Sequence, residues 1–257
     1  MTISIEPRLG ILGGMGPLAT ADFLQKLIAE TPAARDEEHI PVIVYSVPQI
    51  PSRPAAIVDG GLSPLPAMLE GVRTLKSAGA RIIAIPCNTA HHWHDALVSA
   101  GGLPIIHIVD AVRAALCARA SQPRSVGLIA TKGTLAAGFF QRRLSADGHR
   151  MILSSEREQD EWVLPAIEAV KRNALDVAHP LAIAAVNALL ERGAETVVLA
   201  CTETPLAIDY RSHVAGSHCL DATRALAKAC VAWWQERGAG RAISARFGQT
   251  PFGSDLS

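Results

Sequence analysis

Short apolar runs alternate along this chain with stretches in which apolar residues recur at helical spacing. Arg8 to Leu12 reads as a buried strand, and Ala19 to Glu30 carries Phe23, Leu24, Leu27 and Ile28 on one helical face. Pro17 suits the first helical turn, where its missing N–H is not needed. Pro41 to Val47 reads as a second strand, followed by a proline-rich loop, Pro48 to Pro54, whose one cation is Arg53. From Leu65, the positions Leu65, Met68, Leu69, Val72 and Leu75 keep helical spacing until Gly79 stops them. Ile82 to Ile85 is then a strand that delivers Cys87 into a polar Asn-Thr turn. Leu103 to Ile108 reads as a further strand, with Asp110 placed to cap an alanine-rich helix that runs to about Arg119.

At Gln122-Pro123 the pattern breaks and then restarts. RLGILGGMGPLATADFLQKL from Arg8 aligns without a gap on SVGLIATKGTLAAGFFQRRL from Ser125, pairing Gly10 with Gly127, Gly16 with Gly133 and Phe23 with Phe140 at an offset of 117. LKSAGARIIAIPCNT from Leu75 aligns with LLERGAETVVLACTE from Leu189, pairing Gly79 with Gly193 and Cys87 with Cys201 at an offset of 114. An internal repeat of this length predicts an α/β protein of two like halves, each a small parallel sheet flanked by helices. The expected division is residues 1–120 with 213–238 as the first domain and 121–212 as the second, with 239–257 as a mobile C-terminal tail. The last helix, about Ala222 to Gly238, should bury Leu226, Cys230 and either Trp233 or Trp234 and pack back on the first half.

Composition narrows the partners. With 257 residues, 49% of them apolar, the chain can bury a substantial core. Lysine plus arginine equals aspartate plus glutamate at 24 each, so no overall field favours nucleic acid or an anionic membrane, which leaves a small neutral or zwitterionic partner open. The first residues lack a basic start with a sustained apolar segment, which places the protein in the cytoplasm. Five widely spaced cysteines without a CxxC pair suggest neither a disulfide framework nor a thiolate zinc site.

Parallel sheets bind ligands at the carboxyl ends of their strands, and Cys87 and Cys201 both stand there. If the halves face each other, the two thiols converge on one cleft. Backbone N–H groups and a following helix end would stabilise a thiolate at either position. The same N–H groups, with Asn88, Thr89 and Thr202, would cradle a carboxylate. One thiolate could then remove the proton beside that carboxylate while the opposing thiol protonates the other face, inverting a stereocentre without a cofactor. Cys117, Cys219 and Cys230 keep the ordinary reading of free cysteine as a small buried hydrophobe. Thr131 and Thr134 echo the first-half GGMGP turn at the cleft, although plain turn chemistry explains them equally well.

ILGGMGPLAT, DEEHIP, PCNTAHHW and ACTETPL together resemble the aspartate/glutamate racemase superfamily, with its aspartate racemase branch nearest. The resemblance spans roughly Gly10 to the Trp233 helix. It implies a cofactor-independent two-cysteine amino-acid racemase, a homodimer, with two α/β domains related by a pseudo-twofold axis and the active site in the cleft between them. It carries the catalytic pair onto Cys87 and Cys201, the carboxylate turn onto Asn88, Thr89 and Thr202, and substrate-side cations onto Arg53 and Lys171. Met15 occupies the position where the glutamate branch has an acidic residue beside its thiol, which favours the aspartate branch. Ala200 departs from the usual glycine before the second cysteine, and its methyl is expected to crowd the cleft.

Glu203 is expected to orient its neighbours or cap the next helix, and His91 to hydrogen-bond near Cys87 and tune it. Histidines 91, 92 and 94 lack the companion ligands of a metal site, so no metal is expected. Gly14-Met-Gly16-Pro-Leu-Ala19 matches a GxGxxA dinucleotide fingerprint, but the next strand ends without the acidic residue that would hold a ribose. The alternatives kept open are a broad-specificity amino-acid racemase, a hydantoin racemase, maleate isomerase or arylmalonate decarboxylase within the superfamily, and a non-catalytic nucleotide-binding domain.

Overall fold

The computed structural model describes residues 8–208 and 218–236. The expected tail at 239–257 and residues 213–217 lie outside the described residues. The first half contains β1 (Arg8–Gly13), α1 (Pro17–Glu30), β2 (Val42–Ser46), α2 (Arg53–Val58), α3 (Leu65–Ser77), β3 (Ala80–Ala84), α4 (His94–Gly101) and α5 (Ile108–Cys117). The second contains β4 (Ser125–Ala130), α6 (Lys132–Ala137), α7 (Phe139–Ala146), β5 (Arg150–Leu153), α8 (Glu156–Glu158), α9 (Leu164–Lys171), α10 (Leu175–Glu191), β6 (Thr196–Ala200) and α11 (Thr204–Ala207), then β7 (Cys219–Asp221) and α12 (Ala222–Glu236). All strand pairs are parallel, in the orders β2-β1-β3 and β5-β4-β6-β7.

Strand alternation explains how two small sheets make one core. Leu9, Ile11, Ile82 and Ala84 of the first sheet share a buried cluster with Val126, Leu128, Ala130, Val198 and Ala200 of the second. Phe23 and Leu27 of α1, Val112 and Leu116 of α5, Phe140 and Leu144 of α7, and Leu226 and Trp234 of α12 fill the same cluster. The opposite faces pack outward. Leu12, Ile83 and Ile85 meet Met68, Val72 and Leu75, while Ile129, Val197 and Leu199 meet Ala182, Val186 and Leu189. Every central strand is therefore covered on both sides, as the continuous apolar runs predict. The repeat extends to packing detail: a Cβ on Gly10 would lie 3.4 Å from the Leu75 Cβ, and one on Gly127 3.2 Å from the Leu189 Cβ.

Several expectations are corrected. Leu103 to Ile108 forms only one bridge, Ile83 to Ile105, because Pro104 has no N–H to donate and the chain turns into α5 at Ile108. The cap of α5 is His107, whose ring accepts from the Val109 N–H, while Asp110 pairs with Arg113 and Arg143. Cys219–Asp221, expected with the first domain, pairs with β6 of the second sheet, whereas α12 does pack on α1 and α5. Trp234, 2% exposed, is the buried tryptophan. Lys26 of α1 joins the two regions through Asp22 and Asp221, lying 2.7 Å from the latter. Asp221 also accepts from the N–H groups of Thr223 and Arg224 and so caps α12.

Candidate active site

Both cysteines extend past strand ends into a single cavity of about 30 Å³, room for about two waters. Its wall is assembled from both halves. Met15 follows β1, Arg53 and Pro54 open α2, and Cys87, Asn88 and Thr89 follow β3. Across from them stand Thr131, the N-cap of α6, Lys171 at the end of α9, and Cys201, Thr202 and Glu203 after β6. Asn173, with φ of 58°, closes α9 just beyond Lys171.

The halves are tied beside the cavity by hydroxyls. Thr89 Oγ1 lies 2.9 Å from Thr131 Oγ1 and 2.8 Å from Thr134 Oγ1, and these two are 3.1 Å apart. A Cβ on Gly133 would sit 2.6 Å from the Pro54 Cα, so the glycine allows α6 to approach α2 this closely.

Ligand-binding capacity is left open on the first-half side. Both polar atoms of the Asn88 amide are buried without a partner among the described residues, which is costly unless a ligand supplies one. Arg53 donates from Nη1 to the carbonyls of Ile50 and Pro51 at 3.0 Å each, and from Nη2 to that of Met15 at 3.3 Å. Its Nε is buried and unpartnered, leaving the Nε/Nη2 edge for an acceptor such as a carboxylate. Arg53 thus sits in the first turn of a helix rather than in a free loop.

His91 Nδ1 donates to the Cys87 carbonyl at 2.9 Å, and burial pulls its pKa down to about 4, keeping the ring neutral. It positions the backbone of Cys87 and makes no hydrogen bond to the thiol. On the opposite wall, the Cys201 Sγ donates to Glu203 Oε2 at 3.1 Å, and Thr202 Oγ1 donates to the same oxygen at 3.2 Å. Burial, and then the Glu203 carboxylate, push the Cys201 thiol well above its ordinary pKa. The expected helix stabilisation of a thiolate fails there because α11 has only 4 residues and the nearest charge is negative. Glu203 precedes α11 but makes no side-chain cap.

A model of the Asp/Glu/Hydantoin racemase family matches residues 12–230, most of the chain. The chain belongs to that family. This racemase, an isomerase, is 26% identical to the broad specificity amino-acid racemase RacX of Bacillus subtilis over 235 residues, covering 87% of this chain and 96% of that one. It is 32% identical over 181 residues to a glutamate racemase from Roseiflexus, covering 66% of this chain and 62% of the relative. Among solved structures, Picrophilus torridus aspartate racemase superposes with a TM-score of 0.78 at 28% identity, covering 91% of this chain and 95% of that one. An aspartate racemase homologue from Pyrococcus horikoshii gives 0.70 at 24% identity, covering 90% and 100%, a likeness of fold.

Ten residues singled out from the racemase's sequence, Met15, Arg53, Cys87, Asn88, Thr89, Thr131, Lys171, Cys201, Thr202 and Glu203, line the one cavity, and His91 stands behind it. Pro54 was missed, since an apolar residue after a cation carries no chemical signal. Glu203, expected to orient its neighbours, holds the Cys201 thiol, and in the repeat this carboxylate stands where the first half has Thr89. Ala200 does not crowd the cleft: its methyl packs in the core shared by the two sheets. The glycine turn has a packing cause, because Gly14, at φ 90°, would put a Cβ 2.4 Å from the Val47 backbone. A Cβ on Gly16 would meet Glu203 Oε1 at 3.3 Å, which sets a carboxylate where a dinucleotide would place its phosphates. No described helix is long and apolar enough to cross a membrane.

Proposed function

We propose that this amino-acid racemase acts on aspartate or a similar small acidic amino acid, with Cys87 and Cys201 exchanging protons on opposite faces of Cα. The observation that carries the reading is a thiol from each half lining one cavity beside the unpartnered Asn88 amide and Arg53 Nε. The substrate α-carboxylate would take its hydrogen bonds from Asn88, Thr89 and Thr202, and the Nε/Nη2 edge of Arg53 would hold the side-chain carboxylate, with Lys171 adding positive charge. As the Cα proton leaves, negative charge spreads onto the α-carboxylate, where the unpartnered Asn88 amide can meet it and Thr89 and Thr202 can turn their hydroxyls to it. The thiolate of Cys87 takes the proton, and the Cys201 thiol delivers its own to the other face, so no cofactor is required.

A wider substrate range is the second reading, favoured by the likeness to a racemase of broad specificity. Chiral chromatography of the purified protein with acidic, neutral and basic amino acids in deuterated water tests both. The expected result is aspartate inversion with one deuterium at Cα, abolished in Cys87→Ser and in Cys201→Ser. Full activity in both variants would refute the two-thiol mechanism. We further propose a cytoplasmic homodimer, supported by the half-exposed Val42 and Val44 on edge strand β2, which association would cover. Sedimentation velocity checks the assembly.

A further inference from the structure

Glu203 marks the place where the duplicated site departs from its own symmetry. The register that pairs Cys87 with Cys201 pairs Thr89 with Glu203, so a neutral hydroxyl on one side faces a carboxylate on the other. The two Glu203 oxygens point to different surroundings. Oε2 holds the Cys201 thiol at 3.1 Å and the Thr202 hydroxyl at 3.2 Å. Oε1 is directed at Gly16, and no hydrogen bond to it from a described residue accompanies this contact. Glu203 also borders a second cavity of about 100 Å³, walled by Gly16, Pro17, Leu18, Ala19, Val170 and Lys171. That space accommodates several waters and is larger than the cavity between the thiols. Glu203 and Lys171 line both spaces and so form the partition between them.

We propose that Glu203 is a positioning residue that keeps Cys201 protonated at rest and, after turnover, restores its proton from water in the second cavity. The inference rests on the two-thiol reading. That reading needs one thiolate and one thiol, and the Glu203 carboxylate against its sulfur assigns the thiol to Cys201. Turnover in one direction moves the Cα proton to Cys87 and the Cys201 proton to Cα. This leaves the Cys201 thiolate next to the Glu203 carboxylate, two anions within hydrogen-bond distance. A proton from water then binds the Glu203 carboxylate at Oε1, the carboxyl turns to present it, and it passes to the Cys201 sulfur, while the Cys87 thiol releases its proton to the hydroxide left in solvent. One proton enters, one leaves, and the starting state returns. Because, among the described residues, Cys201 has such a partner and Cys87 does not, the free enzyme is predisposed to the enantiomer whose Cα–H faces Cys87.

Iodoacetamide alkylation at graded pH, with each cysteine peptide quantified by mass spectrometry, tests this on the unmodified protein. Cys201 should react only at a pH at least one unit above that at which Cys87 reacts, and Glu203→Gln should lower the Cys201 midpoint by a unit or more. Glutamine keeps the size and an acceptor but cannot relay a proton. In that variant kcat and KM should therefore fall together, by tenfold or more, with kcat/KM held within threefold. A slow return of the free enzyme has this signature, whereas simple loss of positioning lowers kcat/KM. Wild-type Cys201 reacting at or below the pH of Cys87 overturns the proposal, even if the variant does not fold. Alkylation requires no substrate, so a protein that racemises nothing sinks the proposed function separately.

Discussion

Gly133→Ala tests whether the approach of the two halves sets the chemistry. The new Cβ would lie 2.6 Å from the Pro54 Cα, 3.2 Å from the Pro54 Cβ and 3.3 Å from the Thr89 Cγ2. Ordinary contact begins near 3.4 Å, so α2 and α6 must separate by about 1 Å. Helix α2 buries none of its residues and is the softer side, so it moves and takes Arg53 with it. Overpacking typically costs about 1–3 kcal/mol, and a helix free to shift should keep the loss near the lower end. Misplacing a binding group by about 1 Å costs on the order of 100-fold in rate. The expected outcome is a roughly 100-fold loss of kcat/KM with about 1 kcal/mol lost in urea unfolding. Chiral chromatography of aspartate turnover supplies the first quantity and a urea titration the second. Wild-type kcat/KM in a stably folded variant would refute the reasoning.

Three other outcomes follow from the same geometry. Arg53→Lys forfeits the fork that joins the carbonyls of Ile50, Pro51 and Met15, and should raise KM for aspartate about tenfold or more at nearly constant Tm, by steady-state kinetics and thermal melts. Lys26→Met leaves buried Asp221 and partly buried Asp22 beside each other without their cation, and should cost about 3 kcal/mol in denaturant titration, while a loss under about 1 kcal/mol would show that the cluster is not a clamp. His91 has a folded pKa of about 4 against 6.5 unfolded, so the unfolded chain binds the extra proton between these values. Its contribution is full above pH 6.5 and is lost as pH falls toward 4, on the order of 3 kcal/mol, and His91→Asn should flatten that slope in pH-dependent urea unfolding.

The duplicated βα pattern was readable because both halves retain the packing that demands it, as with Gly10 against Leu75 and Gly127 against Leu189. What escaped were elements set by tertiary contact. Arg150–Leu153 and Cys219–Asp221 are strands of 4 and 3 residues whose pairing comes from β4 and β6 rather than from their own alternation. Pro104 hid the end of an apparent strand in an apolar run. In the site, the positions of Cys87 and Cys201 followed from the repeat, and those of Arg53 and Lys171 from the family likeness. The upward shift of the Cys201 thiol did not, because it comes first from burial and then from the Glu203 carboxylate folding back onto the sulfur. The orientation of Ala200 was likewise a matter of strand parity, which a residue's identity does not reveal.

Strand β7 adds to the sheet of the second half while the helix directly after it lies on α1 and α5 of the first. The final segment therefore works as a stitch through both pieces, and a fragment ending before residue 219 would lose an edge strand from one and a covering helix from the other at once. Splitting the gene at the internal boundary should give two insoluble products rather than two half-enzymes.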